Sequence, residues 1–336
     1  MILTPRFSPP YALTLTALSV LVMALAVVSV IIGPSPLDPL QALGDVLARR
    51  ETLDALILMD LRLPRALLGI LAGFSLGITG AAMQGLLRNP LAEPGVLGVS
   101  GAAALGAVVV FYSGLAGAFA FALPLGGMAG AALASIALYI MAGRGAGTMT
   151  LVLAGVAINS LAGALTSLAL NLSSNPFAAM EIVFWMMGSL ADRSMDDVLL
   201  VLAPMLAGWL LLLAAGPALD GLSLGEDAAR SLGFTPERLR AQLVTGAALA
   251  VGSAVAVTGL IGFVGLVVPH LVRGLAGGQP ARVLLPSGLA GAALLLAADI
   301  GLRLLPIRPE LQPGVVTAII GAPFLLVLIR RLHREA

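Results

Sequence analysis

The chain is a succession of apolar runs, each close to the length that crosses a lipid bilayer. A helical span needs about 20 mostly apolar residues. Runs of that kind fall near residues 11–32, 64–87, 95–113, 118–141, 150–171, 197–216, 240–258, 260–276, 284–302 and 314–330. Ten such spans use about 200 residues, so a chain of 336 keeps short loops and has no room for a separate soluble domain. Only 10% of the residues are charged, where soluble domains run near about a quarter. The bilayer is therefore the solvent for most of the surface. The expected fold is all-α, one polytopic membrane domain over residues 1–336. Arg6 precedes the first run, which is longer than a secretory h-region of about 7–15 residues. That run is expected to be a retained first span.

What the chain lacks narrows its chemistry. All 18 basic residues are arginine, there is no cysteine, and the histidines are His270 and His333. A nucleotide-binding P-loop needs a lysine to hold phosphates, so this chain cannot carry one. Disulfides and thiolate metal sites are excluded, and no cofactor is expected. The net charge of +1 says little about partners; no nucleic-acid partner is expected.

Orientation is read from arginine. With the N-terminus inside, 11 of the 18 arginines fall in inner segments, which agrees with the positive-inside rule. Both termini are then cytoplasmic. Most acids, including Asp38, Asp45, Glu51, Asp54, Asp192 and Glu310, fall outside. Glycine is patterned as well. Gly69, Gly73 and Gly77 recur every four residues and share a helix face, where backbones approach closely. The second span is thus expected to be central. Gly259, Gly262 and Gly265 mark the junction of the seventh and eighth spans and are also expected to serve packing.

The longest polar stretch on the inner side is 218–240. Ser223 with Glu226 has the spacing of a capping box. Leu224, Ala228, Ala229 and Leu232 would share one face of the following turn, and Glu226, Asp227 and Arg230 the other. Gly233 is placed to end that helix, before Phe234. Thr235 with Pro236 would start a second helix. Two short helices result, about 223–240. They suit either an amphipathic connector on the lipid surface or a knob that docks into a cytosolic protein.

Several longer motifs then occur in order: Arg62-Leu63-Pro64-Arg65, Gly80-Ala81-Ala82-Met83-Gln84-Gly85, Asn89-Pro90-Leu91-Ala92-Glu93-Pro94-Gly95, Phe184-Trp185-Met186-Met187-Gly188-Ser189-Leu190, Gly262-Phe263-Val264-Gly265-Leu266-Val267-Val268-Pro269-His270, Ala298-Asp299-Ile300 and Gly314-Val315-Val316-Thr317. With them the chain resembles the permeases of type II ABC importers, the iron-siderophore, haem and cobalamin group. The resemblance covers nearly the whole chain. It implies ten spans, a second copy of the chain with the pathway between the copies, two cytosolic ATP-binding subunits, a periplasmic substrate-binding protein, and a place in the bacterial inner membrane. The chain itself would not be an enzyme. The resemblance also implies that 223–240 are the coupling helices. Arg62, Arg65 and Arg303 would meet carboxylates of the binding protein, although arginines at span ends also snorkel to the interface.

The resemblance places the pathway on the fifth and tenth spans. Gly155, Asn159, Gly163 and Thr166 share a face of the fifth, and Gly314, Thr317 and Gly321 a face of the tenth. Such positions suit a large rigid ligand, and equally suit hydrogen bonds or packing between helices. Leu172–Leu190, starting at Asn175-Pro176, is expected to cap the outer mouth, and an inner gate is expected near Gly143–Thr150. Ferric siderophore is the first expectation for cargo, because that branch is the most populous; haem and cobalamin are the alternatives. Two other function classes compete. A proton-coupled transporter would want carboxylates or histidines deep in the membrane, and the spans offer only Asp299 and His270, each near an end. An intramembrane serine protease could use Ser100 in Gly98-Val99-Ser100-Gly101 with His270 as base, but that motif is short.

Overall fold

The computed structural model describes residues 11–335 apart from 36, 118, 120, 143–146, 174 and 307–309. Its described residues are helical, without strands. We number the helices α1 (Tyr11–Ile31), α2 (Pro39–Leu47), α3 (Leu53–Leu87), α4 (Val99–Tyr112), α5 (Ala122–Ala142), α6 (Thr148–Leu172), α7 (Pro176–Met186), α8 (Met195–Ala214), α9 (Gly216–Ser223), α10 (Glu226–Ser231), α11 (Pro236–Thr258), α12 (Val264–Arg273), α13 (Pro280–Leu304) and α14 (Pro313–Glu335). Seven are long and apolar enough to cross a membrane: α1, α3, α5, α6, α8, α11 and α13. The other three expected spans are the shorter apolar helices α4, α12 and α14.

The centre is a helix pair. The most apolar window of α3 is 83% buried, against 17% for α1, so α3 is the core helix and α1 is peripheral. Glycine is what lets α13 lie along it. A Cβ built on Gly73 would stand 2.5 Å from the carbonyl oxygen of Gly291, and one on Gly77 would stand 2.0 Å from that of Ser287. Only hydrogen can occupy those positions. Gly80 meets the backbone of Gly265 in α12 in the same way. In lipid there is no hydrophobic drive between helices, so close packing of this kind supplies the association. The expectation drawn from Gly69, Gly73 and Gly77 holds.

Two irregularities have local causes. Pro64 has no N–H for an i→i−4 bond, and the chain just before it winds as a π-helical turn, Ile57–Arg62. The helix α11 stops at Thr258 because Gly259 adopts φ +70°. The next five residues, 259–263, are not helical, and Phe263 sits at φ +65° before α12 starts. Gly259, Gly262 and Gly265 therefore do not form a stripe on one helix. Gly259 lies against the Trp185 carbonyl, Gly265 against Pro94 and Leu76, and Gly262 has nothing within 4 Å. Irregular backbone at membrane depth needs protein cover, and Thr258, Gly259 and Ile261 are buried.

The α3–α13 contact yields a prediction. Gly77→Leu forces the two backbones apart. Overpacking of this kind costs about 1–3 kcal/mol, so the thermal unfolding midpoint in detergent should fall. An unchanged midpoint would show that the contact is not needed.

Candidate functional site

The pair α3–α13 has a polar cluster at each end. One end carries Arg62 and Arg65 on α3 and Asp299 and Arg303 on α13. Asp299 is buried and accepts from Arg65 Nε at 3.0 Å and from Arg65 NH2 at 2.8 Å, a two-point fork. Arg303, one helical turn on, puts NH2 2.9 Å from the other carboxylate oxygen. Glu310 takes a further bond from Arg65 NH2 at 3.0 Å. A buried carboxylate is tolerable only when paired and hydrogen-bonded, and two arginines do this for Asp299.

Further donors of Arg62 and Arg303 go to the end of α1 and the residues just past it. The last carbonyls of a helix have no partner within it and carry the negative end of its dipole. Arg303 NH1 donates to Ser29 O at 2.8 Å and Ile32 O at 2.7 Å, and its NH2 donates to Ser29 Oγ. Arg62 NH1 donates to Val30 O at 3.0 Å and to Ile31 O, and its NH2 donates to Ser35 O. Arg62 and Arg303 thus cap α1 and tie that weakly buried helix to the core. Their expected role as docking groups meets a physical obstacle: both side chains are buried and already bonded inside the chain. Arg65 is also paired, and all three arginines border a cavity of about 430 Å³ together with Ser189, Asp192 and Glu310. The pairing was not readable from sequence. Its one signal was that α1 ends in Ile31-Ile32-Gly33-Pro34 with no polar side chain to cap it.

Helix α7 lies at this end. Asn175 caps it by accepting from Phe177 N–H at 3.0 Å, and Pro176 opens it. Its 11 residues reach about 16 Å, too short to cross. Past Gly188 the chain is fixed by Ser189 N–H to Thr258 O at 2.7 Å. The segment expected to cap the mouth is therefore a short helix over the end of α11. Phe177 and Phe184 are exposed on it, whereas Trp185 is buried.

The opposite end carries the polar segment. Here the expected capping box is corrected. Ser223 closes α9, and its hydroxyl donates to Asp220 O at 2.6 Å. Gly225, at φ +115°, is the residue before α10, and no side chain caps it. The capping box that does form is Ser194 with Asp197, at the start of α8. Gly233 behaves as expected: with φ +87° it ends α10, its N–H bonds Arg230 O, and Phe234 N–H bonds Ala229 O, both at 3.0 Å. This is the Schellman pattern. Pro236 opens α11, though the Thr235 hydroxyl makes no cap bond. Ion pairs Arg230–Glu237 at 2.8 Å and Arg240–Glu226 hold α10 to α11. Ala229 is buried and Ala228 half-buried, but Leu224 and Leu232 are 73% and 60% exposed. The expected apolar face is thus divided between the fold and the outside.

The segment is anchored to the helix pair. Asp220 Oδ1 accepts from Ala281 N–H at 2.9 Å, capping the start of α13. Gln84 near the end of α3 accepts from Arg273 NH2 at 2.7 Å and donates to Leu266 O at 3.2 Å. Between these groups and Leu224 and Leu232 lies an open cavity of about 980 Å³.

The expected pathway faces come out mixed. Gly155 is pressed against the backbone of Val96 and Leu97, and Thr166 is buried. Asn159 and Gly163 are exposed. On α14, Gly314 lies on the Met187 and Leu260 carbonyls, Gly321 faces the Phe263 ring, and Thr317 is buried with its hydroxyl donating to Gly314 O at 3.0 Å. Gly155, Gly314 and Gly321 are thus in close contact within this chain, and Thr166 and Thr317 are buried in it: small residues at helical spacing admit a neighbouring backbone as well as a ligand. Of the expected inner gate, 143–146 lie outside the described residues; Gly147 precedes α6 and Thr148–Thr150 open it.

With this geometry the relatives can be placed. The model of the FecCD transport family matches residues 21–331. The chain belongs to that family. It is 40% identical over 319 residues to the vitamin B12 import system permease BtuC of Vibrio cholerae, covering 93% of this chain and 92% of the relative. It is 37% identical over 301 residues to an ABC transporter permease of Bacillus subtilis, YvrB, covering 88% and 84%. An inward-facing structure of a transporter described as of the metal-chelate ABC type superposes with a TM-score of 0.82 at 30% identity, covering 96% of this chain and 99% of that one. The family member described here is thus a polytopic permease subunit of an ABC importer, with the type II importer permease fold. Membership leaves the proton-coupled and protease readings without support; His270 stands edge-on to Phe324 at 5.8 Å.

Two predictions follow from the charges. Asp299→Asn takes the paired carboxylate from buried Arg303 and leaves Arg65 with Glu310 alone. Breaking a buried pair costs about 3–5 kcal/mol, so the detergent-solubilised variant should unfold well below the parent, and equal unfolding would refute the pairing. Glu93, in the loop after α3, is half-buried, and burial pushes its carboxyl above the usual carboxylate value. A carboxyl raised by folding loses stability as pH climbs from its unfolded value to its folded one. Stability should therefore fall as pH rises from about 4.5, and Glu93→Gln should flatten that slope.

Proposed function

We propose that this chain forms, with a second copy of itself, the pathway of an importer for a large metal chelate across the bacterial inner membrane. The observation that carries this is the segment α9–α10 with the start of α11. It is held rigid by two ion pairs and a glycine cap, anchored to α13 by Asp220, and it presents Leu224 and Leu232. Two cytosolic ATP-binding subunits would dock there and supply the nucleotide site that a chain without lysine lacks. Both termini are then cytoplasmic, and the arginine end faces the periplasm and a substrate-binding protein. Asn159 and Gly163 on α6, exposed in the single chain, are offered to the pathway. No covalent chemistry is assigned to the chain: ATP turnover in the partner would rock the segment and, through α13, the far end.

Of the candidate cargoes, ferric siderophores, haem and corrinoids, the relatives bear on two. Ferric siderophores fit the metal-chelate description of the structural neighbour. Corrinoids are favoured by the relatives named as vitamin B12 permeases. The permease should be co-expressed with its ATP-binding subunit and binding protein in proteoliposomes, and ATP-dependent uptake of cyanocobalamin compared with that of ferric siderophores. Uptake of one of them only with ATP is expected; uptake of neither, or uptake without ATP, would contradict the reading. Leu232→Glu should abolish co-purification of the ATP-binding subunit while leaving the permease folded.

A further inference from the structure

The end of the α3–α13 pair that carries the polar segment also holds a cation without a counter-ion. Arg273 closes α12 and is half-buried. It borders the open cavity of about 980 Å³ together with Arg88, Asn89, Asp220 and Gln279. Among the described residues only its NH2 is bonded, to Gln84 Oε1 at 2.7 Å, and its Nε is buried without a hydrogen-bond partner. An unmade buried donor is costly. Neither Arg273 nor Arg88 forms an ion pair among the described residues. The acid of the lining, Asp220, is engaged with Ala281 N–H.

Gln84 holds the guanidinium in this state. It is buried, and its amide nitrogen donates to Leu266 O at 3.2 Å. That bond turns its oxygen toward Arg273, a neutral acceptor that orients the cation without cancelling its charge. Arg88, at φ +46° just past the end of α3, is exposed. The start of α13, at Gln279 and Pro280, also lines the cavity and adds the positive end of its dipole. Two arginines and a helix start thus stand against one carboxylate that is already used. We propose that this cavity binds a phosphate group, with Arg273 and Arg88 as its ligands. Phosphate oxygens match the fork of a guanidinium and would satisfy the buried Nε. Two sources carry that chemistry. One is a phospholipid headgroup, whose chains would lie against Leu271 and Leu275, exposed beside Arg273. The other is free phosphate. Leu224 and Leu232, given above to a partner, line the same cavity, but the phosphate site stands on the arginines and does not need that reading.

The test uses the purified permease in a neutral detergent, without partner subunits. Its thermal unfolding midpoint is followed with inorganic phosphate against chloride at equal ionic strength. It is also followed with dioctanoylphosphatidylglycerol against dioctanoylglycerol, which lacks the phosphate. At least one phosphate probe should raise the midpoint where its control does not. A rise with the phospholipid alone assigns the site to a headgroup, and a rise with inorganic phosphate assigns it to the free anion. Two variants then read the arginines. Arg88→Asn keeps a residue that tolerates the left-handed turn. It should raise the half-effective probe concentration roughly tenfold, the weight of one charged hydrogen bond. Gln84→Glu gives Arg273 a carboxylate inside the chain and should abolish the response. No rise with either probe, a rise matched by its control, or a rise unchanged in both variants would overturn the site. No arm uses ATP, a partner subunit or cargo, so failure of the importer reading would leave this result standing, and the reverse also holds.

Discussion

Backbone contact between α3 and α13 is the constraint on which the rest depends. At Gly73 and Gly77 any side chain would collide with the carbonyls of Gly291 and Ser287. The bilayer offers no hydrophobic drive for helix association, so this proximity is what builds a core inside it. A helix of 25 residues such as α13 spans roughly 37 Å. The pair is therefore long enough to connect the two polar ends, and Asp220, Asp299 and Arg303 fix α13 at both of them. A rigid element with a handle at each end can carry a displacement from one side to the other.

The arginine end shows how few charges a membrane bundle needs. Three arginines and two acids meet there, and several of the donors left over go to carbonyls at and just past the end of α1. Arginine is suited to this because one guanidinium can serve a carboxylate and several carbonyls together. Lysine, which the chain lacks, would offer a point charge without the fork. Arg62 and Arg303 are therefore held largely by bonds within their own chain.

Much of the architecture was legible in the residues. Apolar run lengths located the seven helices long enough to cross and three shorter apolar ones, glycine spacing named the face of α3 that packs, and Gly233 with Pro236 marked the boundary between the two short helices. What stayed hidden depends on neighbours distant in sequence. Arg62 and Arg303 looked like surface arginines because nothing local shows that the end of α1 arrives beside them. Ser223 had the spacing of a cap, but α9 runs through it and Gly225 takes the turn. The stripes on α6 and α14 were ambiguous in principle, since glycine and threonine make a cavity or a close contact depending on what lies opposite. The structure puts the chain's own backbone there at Gly155 and Gly314.

The central claim is that Leu224 and Leu232 are covered by an ATP-binding subunit and not by lipid. Placing a photo-crosslinking amino acid at position 232 in cells and identifying the adduct by mass spectrometry tests it directly. The account predicts an adduct with a soluble protein that carries a P-loop. Adducts with phospholipid alone would contradict it and return the segment to a connector lying on the membrane surface.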